Sequence, residues 1–221
     1  MAKRFDEAVC LIGGGPLDAG LLARAERLAP VLVAADRGAD RLLELGRRPA
    51  LVIGDMDSIS DLAAWQAGPT EVLHLAEQDT TDFEKCLYAT EAPLYLALGF
   101  TGGRMDHTLA VFHALLARPG KRVVVLGEGE AMTFLPPGRG LRLAARPGMR
   151  VSVFPFAETT GILSEGLEWP VAGLTFAPGR QSGTSNRAVA ETVALGVDRG
   201  GALLILPEAA LGTLLAALAA A

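Results

Sequence analysis

Short apolar runs, each closed by glycine or by an acidic turn, recur through the first half of the chain. Ala8–Ile12 runs into Gly13-Gly14-Gly15-Pro16, and Val31–Ala35 into Asp36-Arg37-Gly38. Leu51–Ile53 is closed by Gly54, and Leu94–Leu98 by Gly99. Runs of this length without polar alternation are how strands buried on both faces read. Between them the period lengthens. Leu17–Leu28 places Leu21, Leu22, Ala25 and Leu28 on one helical face, and Arg41–Gly46 ends a second helix at its glycine. A short helix around Leu62–Trp65 and a strand over Glu71–Leu75 follow. Thr81 and Glu84 have capping-box spacing, which starts a helix with Asp82 in its first turn. A last helix is expected from Arg104 to about Leu116, with Met105, Leu109, Phe112 and Leu116 toward the core.

Beyond Pro119 the helical period largely disappears. Strand-like runs at Arg122–Leu126, Ala131–Leu135, Met149–Phe154, Thr159–Leu163, Thr192–Val197 and Ala202–Leu206 are separated by Gly/Pro turns. The expected fold class is α/β: an N-terminal Rossmann-like, mostly parallel sheet with flanking helices, plus a smaller C-terminal all-β sandwich. The expected domains are residues 1–120, carrying the catalytic chemistry, and residues 121–221. The Ala/Leu-rich stretch after Pro207 receives no assignment.

Composition narrows the function classes. Half of the 221 residues are hydrophobic and only 5% aromatic, which suits helices packed closely on a parallel sheet. The net charge is −5 and no long basic run occurs, so nucleic acid is not an expected partner. Cys10 and Cys86 lie in apolar segments and read as small buried hydrophobes. No stretch reaches the roughly 20 apolar residues of a membrane span, so no membrane is expected and a cytoplasmic location is.

The chemistry gathers at the strand ends, where open α/β sheets bind ligands. Asp55 and Asp57 stand two apart just beyond Gly54; on extended backbone they point to one side, an arrangement that a cation such as Mg²⁺ stabilises. The alternative is an exposed turn, because Asp, Ser and Gly are common turn formers; the residues downstream raise the metal reading. Asp79, Asp82 and Lys85 follow at intervals of three, which on a helix is one side. Asp36, Arg37 and Gly38 offer either a ribose or phosphate contact or a capped helix start. Gly103 beside Arg104 at a helix entrance suits phosphate, combining N–H donors, the helix dipole and a guanidinium fork. Asp106 either orients Arg104 or takes a ligand hydroxyl, and His107 is either a proton carrier or a capping residue. The polar stretch Gly179–Asn186 reads as a linker or as an uncharged ligand loop.

Taken together, these stretches resemble the thiamine pyrophosphokinase family. The resemblance rests on Ala35-Asp36-Arg37-Gly38-Ala39, Gly54-Asp55-Met56-Asp57-Ser58-Ile59, Gln78-Asp79-Thr80-Thr81-Asp82-Phe83-Glu84-Lys85, Gly102-Gly103-Arg104-Met105-Asp106-His107, Gly166-Leu167-Glu168-Trp169-Pro170 and Ser185-Asn186. It implies an α/β nucleotide-binding domain, a C-terminal β-sandwich and a homodimer with sites between subunits. The implied reaction moves pyrophosphate from ATP to the thiamine hydroxyl and releases AMP. Asp55, Asp57 and Asp82 would hold Mg²⁺ against ATP, with Lys85 and Arg104 offsetting charge and Asp79 or Asp82 accepting the proton. Gln78, Thr81, Ser185 and Asn186 would contact thiamine. The chain departs from the family's pattern at Met56, where Phe is expected, at Glu168, where Lys is, and at Arg187, where Glu is. Competing readings are a pyrophosphokinase acting on a pterin alcohol, a non-enzymatic thiamine- or nucleotide-binding protein, and a sugar transferase using Asp-x-Asp.

Overall fold

A computed structural model describes residues 2–221, which divide into two compact units. The first unit runs to Leu115 and takes in Gly120–Glu128; the second comprises Leu116–Pro119 and Gly129–Ala221.

The first unit contains β1 (Lys3–Arg4), β2 (Val9–Ile12), α1 (Ala19–Leu28), β3 (Val31–Ala35), α2 (Gly38–Glu44), β4 (Leu51–Gly54) and α3 (Leu62–Gln66). It continues with β5 (Glu71–His74), α4 (Asp82–Ala89), β6 (Thr90–Glu91), β7 (Tyr95–Leu98), α5 (Met105–Leu116) and β8 (Val123–Gly127). Its main sheet has the order β8-β7-β2-β3-β4-β5, parallel at every pairing. β2, β4 and β7 are buried at every residue, which is why they read as unbroken apolar runs. The chain builds outward from β2 through β5 and then returns to place β7 on the other side of β2. The winding direction therefore reverses between β2 and β7.

Two helix faces differ from expectation. In α5 the buried residues are Val111, Phe112, Ala114 and Leu115, while Met105 is 70% and Leu109 53% exposed. The apolar residues of α5 run round more than one face, so periodicity alone did not select the packed one. Leu28, at the last turn of α1, is also exposed, whereas Leu21, Leu22 and Ala25 are buried.

The second unit contains β9 (Glu130–Phe134), β10 (Gly140–Ala144), β11 (Ser152–Pro155), β12 (Thr159–Glu165), β13 (Thr175–Phe176), β14 (Thr192–Val197), β15 (Ala202–Pro207), a 3-10 turn (Glu208–Ala210) and α6 (Leu211–Ala220). It is a separate antiparallel β domain, with pairings β11-β15-β9 and β10-β14-β12-β13. The run Arg122–Leu126, expected among these strands, is instead β8, paired in parallel with β7 in the first unit. β10 alternates, with Leu141 and Leu143 buried between exposed neighbours. The Ala/Leu-rich end is α6, which packs on β10 and buries Leu211, Leu214, Ala217 and Leu218. Among the described residues no helix is long and apolar enough to cross a membrane.

Candidate active site

The carboxyl ends of the first unit's strands open on one crevice of about 430 Å³. Gly13–Gly15 after β2 and Gly99–Thr101 after β7 form one side, at the point where the winding reverses, the usual ligand position in open α/β sheets. Glycine is required there by contact. A Cβ on Gly13 would stand 2.4 Å from the Gly99 carbonyl oxygen, and Gly99 itself has φ +72°. The other side is acidic. Asp36 follows β3, Asp55 and Ser58 follow β4, and Thr80–Phe83 with Lys85 follow β5. Arg37, Gly103, Arg104 and His107 complete the lining.

Asp36, Asp55 and Asp57 bring one carboxylate oxygen each within 4.8 Å of one another. The aspartate loop is not extended: Met56 is buried at φ +64°, a strained conformation for a side-chain-bearing residue, and it turns the chain so that both aspartates still converge. Asp36 is 2% exposed, with φ +43°. Its Oδ2 accepts from the Ser58 N–H at 3.2 Å, while its Oδ1 has no partner. Among the described residues the other buried side-chain polar atom without a partner is Thr101 Oγ1, and both residues line the crevice. Burial, then the Asp82 charge, pushes the Asp36 carboxyl up to about 6; Asp55 and Asp57 add to this and the Ser58 N–H opposes it.

Lys85 is the counter-charge. It is 1% exposed and donates to Asp55 Oδ2 at 3.1 Å and to Asp82 Oδ1 at 3.3 Å. Burial disfavours the Asp55 carboxylate, but Lys85, the Asp57 N–H and Gln78 outweigh it and hold the group below its usual range. Asp82 is shifted the other way: burial dominates and raises it despite Lys85. Lys85 is itself raised, because its two carboxylates overcome its own desolvation. Asp82 begins α4 behind a complete capping box, in which Thr81 accepts from the Glu84 N–H and Glu84 from the Thr81 N–H.

Several expected residues take other places. Asp82, expected as a ligand beside Asp55 and Asp57, is bonded to Lys85 and lies outside the three-carboxylate cluster, which Asp36 completes instead. The signal for Asp36 was topological: β3 and β4 are neighbours, so their terminal acids meet. Asp79 precedes α4, so helical spacing does not align it with Asp82; it is exposed and does not line the crevice. Gln78 donates to Asp55 at 2.9 Å. Thr81 serves as the cap and also lines the crevice. Arg104 is 71% exposed and forked with Asp106, an ion pair that holds the Asp106 carboxyl down at about 2. Asp106 lies outside the lining.

In the second unit Ser185 is exposed at φ +60°, and its N–H donates to Ser152 Oγ. Asn186 is buried and committed: Oδ1 accepts from the Trp169 and Arg187 N–H groups, and Nδ2 donates to the Trp169 carbonyl at 2.7 Å. It positions Trp169, which is 54% exposed and was not singled out as a contact residue. Glu168 and Arg187, the two departures in charge, form a forked ion pair with each other, so the local charge is balanced.

Comparison with known proteins covers both units. The family model described as thiamin pyrophosphokinase, catalytic domain, matches residues 23–125, and that described as thiamin pyrophosphokinase, vitamin B1 binding domain, matches residues 141–200. Thiamine pyrophosphokinase 1 of Oryza sativa subsp. japonica is 28% identical, with 79% of this chain and 81% of that protein aligned. Thiamin pyrophosphokinase 1 of Caenorhabditis elegans is 27% identical over 85% of this chain and 84% of its own. The crystal structure of thiamin pyrophosphokinase from Geobacillus thermodenitrificans superposes with a TM-score of 0.75 at 25% identity, covering 91% of this chain and 97% of that one. The Candida albicans thiamin pyrophosphokinase shares the fold, with a TM-score of 0.79 at 16% identity over 94% and 93% of the two chains.

Proposed function

From the premise that the chain belongs to the thiamine pyrophosphokinase family and is an ATP-dependent diphosphotransferase, we propose that the glycine-lined crevice is where its pyrophosphate transfer occurs. In that reaction the thiamine hydroxyl oxygen bonds to the β-phosphorus of ATP, the bridge to the α-phosphorus breaks, and AMP leaves. Pterin alcohols are not favoured, because residues 141–200 match a vitamin B1 binding domain, and non-catalytic binding is not favoured, because residues 23–125 match a catalytic domain. Nothing outside Asp-x-Asp supports a sugar transferase.

The observation that carries the assignment is the buried Asp36 carboxylate at the crevice, which has one oxygen without a partner and clusters with Asp55 and Asp57. Three hard oxygens so placed fit Mg²⁺, and Asp36, Asp55 and Asp57 would hold it. The bound ion supplies charge neutralisation for the polyphosphate. Lys85 keeps the surrounding carboxylates from repelling one another, using two of its three donors for Asp55 and Asp82. Asp82, its carboxyl raised by burial, is the group best suited to take the hydroxyl proton. The glycine loops after β2 and β7 would let the backbone approach the phosphates, although the Gly13 and Gly15 N–H groups are already bonded to the Leu98 and Gly99 carbonyls, and the Arg104 guanidinium, whose Nε and Nη2 are paired with Asp106, would add positive charge beside them. The Rossmann-like character read from sequence enters here: the reversal between β2 and β7 supports nucleotide binding at that point. Trp169 would present an aromatic face to the thiazolium ring. A homodimer is also part of the proposal, supported by the exposed apolar residues Met105 and Leu109 on α5.

Incubation with ATP, Mg²⁺ and thiamine should give thiamine pyrophosphate and AMP in equal amounts. Formation of ADP with thiamine monophosphate would place the attack at the γ-phosphorus and reject the scheme.

A further inference from the structure

Trp169 is gripped from behind. Its backbone is held at both N–H and carbonyl by the buried Asn186 side chain. The Arg187 guanidinium lies over the indole ring, 5.7 Å from its centroid. The Glu168 N–H donates to the Arg187 carbonyl, and the Arg187 fork closes back on the Glu168 carboxylate, with Nη2 to Oε1 at 2.7 Å. Trp169 is 54% exposed, so with Arg187 over one face of the ring there is solvent-accessible indole left for a ligand.

This arrangement sets an electrostatic problem. Thiamine carries a permanent thiazolium charge. A cation stacked on the opposite face at about 3.5 Å would stand about 9 Å from the guanidinium, close to the ~8 Å screening length at physiological salt. An uncompensated Arg187 would also draw on the ring's negative face, which the incoming cation needs. We propose that Glu168 is a specificity-determining counter-ion: by neutralising Arg187 it leaves the Trp169 face acceptable to a cationic substrate. This rests on the reading of residues 141–200 as the thiamine-binding part of the chain. Arg187 then acts as a brace for the ring, and Glu168 removes the electrostatic penalty of using a cation as that brace.

Glu168→Gln keeps the shape and removes the charge. Its thiamine KM should rise about three- to tenfold at low salt and return toward wild type at high salt, the behaviour of a screened repulsion. Its kcat, its KM for ATP and its melting temperature should stay at wild-type values. Adding Arg187→Gln to Glu168→Gln removes the unpaired cation and should bring the thiamine KM back down. An unchanged KM in Glu168→Gln, a salt-independent rise, or no recovery in the double variant would each overturn the proposal. Trp169→Leu separates the two levels of the argument. If it raises the thiamine KM while Glu168→Gln does not, only the counter-ion role falls. If it has no effect on that KM, the ring is not at the thiamine site and the underlying placement falls with it.

Discussion

Among the acids of the crevice, Asp36 departs furthest from ordinary behaviour. Its carboxyl, at about 6 in the folded protein, lies above the usual carboxylate value because burial and the neighbouring Asp82 disfavour its charge. The folded state therefore binds the Asp36 proton more tightly than the unfolded state does. This group's contribution is most favourable below the unfolded value near 4 and is lost as pH rises through about 6. Without Mg²⁺ the wild-type protein should thus carry a penalty on the order of 1–3 kcal/mol at pH 7.5. Asp36→Asn should relieve it: in chelator, the variant should melt higher than wild type at pH 7.5 and show a flatter stability profile between pH 4 and 6, while its Mg²⁺-dependent turnover is lost. Asp82→Asn tests a different role. If Asp82 only favours the helix dipole, the change costs up to roughly 1 kcal/mol of stability and little activity. As the proton acceptor, its loss should lower kcat about 10²-fold or more at saturating Mg²⁺ with the melting temperature nearly unchanged. The acids themselves were legible in the sequence. Their division of labour was not, because it depends on β3 lying beside β4 and on Lys85 being buried between Asp55 and Asp82.

Elements whose environment is uniform were easy to read. β2, β4 and β7 are buried throughout, and the capping box of α4 is local chemistry visible in four residues. Elements that depend on a neighbour were harder. β10 alternates plainly but is short, α6 is apolar nearly all round, and α5 has more apolar residues than one face can bury. Gly54, read at first only as the end of a strand, also makes room for the site. A Cβ there would stand 2.8 Å from Asp36 Cβ and 3.3 Å from Asp82 Oδ1. Gly54→Ala should therefore separate those two acids and raise the Mg²⁺ concentration needed for half-maximal activity; an unchanged Mg²⁺ titration would show that the acids adjust freely. Thr81→Ala should cost about 1 kcal/mol in chemical denaturation through loss of the cap.

At the scale of the whole molecule, the proposed homodimer predicts complementation. Suppose each site takes its acidic crevice from one subunit and its Trp169 face from the other. Asp55→Asn and Trp169→Leu chains would each be poorly active alone, yet equal mixing should restore about a quarter of wild-type activity, since half the dimers are mixed and each carries one intact site. Mass-tagged chains that exchange without recovery would place the site within one chain. The reversal of winding that creates the crevice also bears on how the chain acquires its structure. Val9 pairs with Tyr95 and Ile12 with Leu98, so β2, the first strand of the main sheet to be made, is covered on one edge only after every element from α1 to β6 has been synthesised. Until then a wholly apolar strand presents an open hydrogen-bonding edge, the kind of template that recruits other chains. Nascent chains released before residue 95 should therefore aggregate or occupy chaperones, whereas those extending past β8 should not; slowing translation between α4 and β7 would lower soluble yield without altering a single contact of the finished fold.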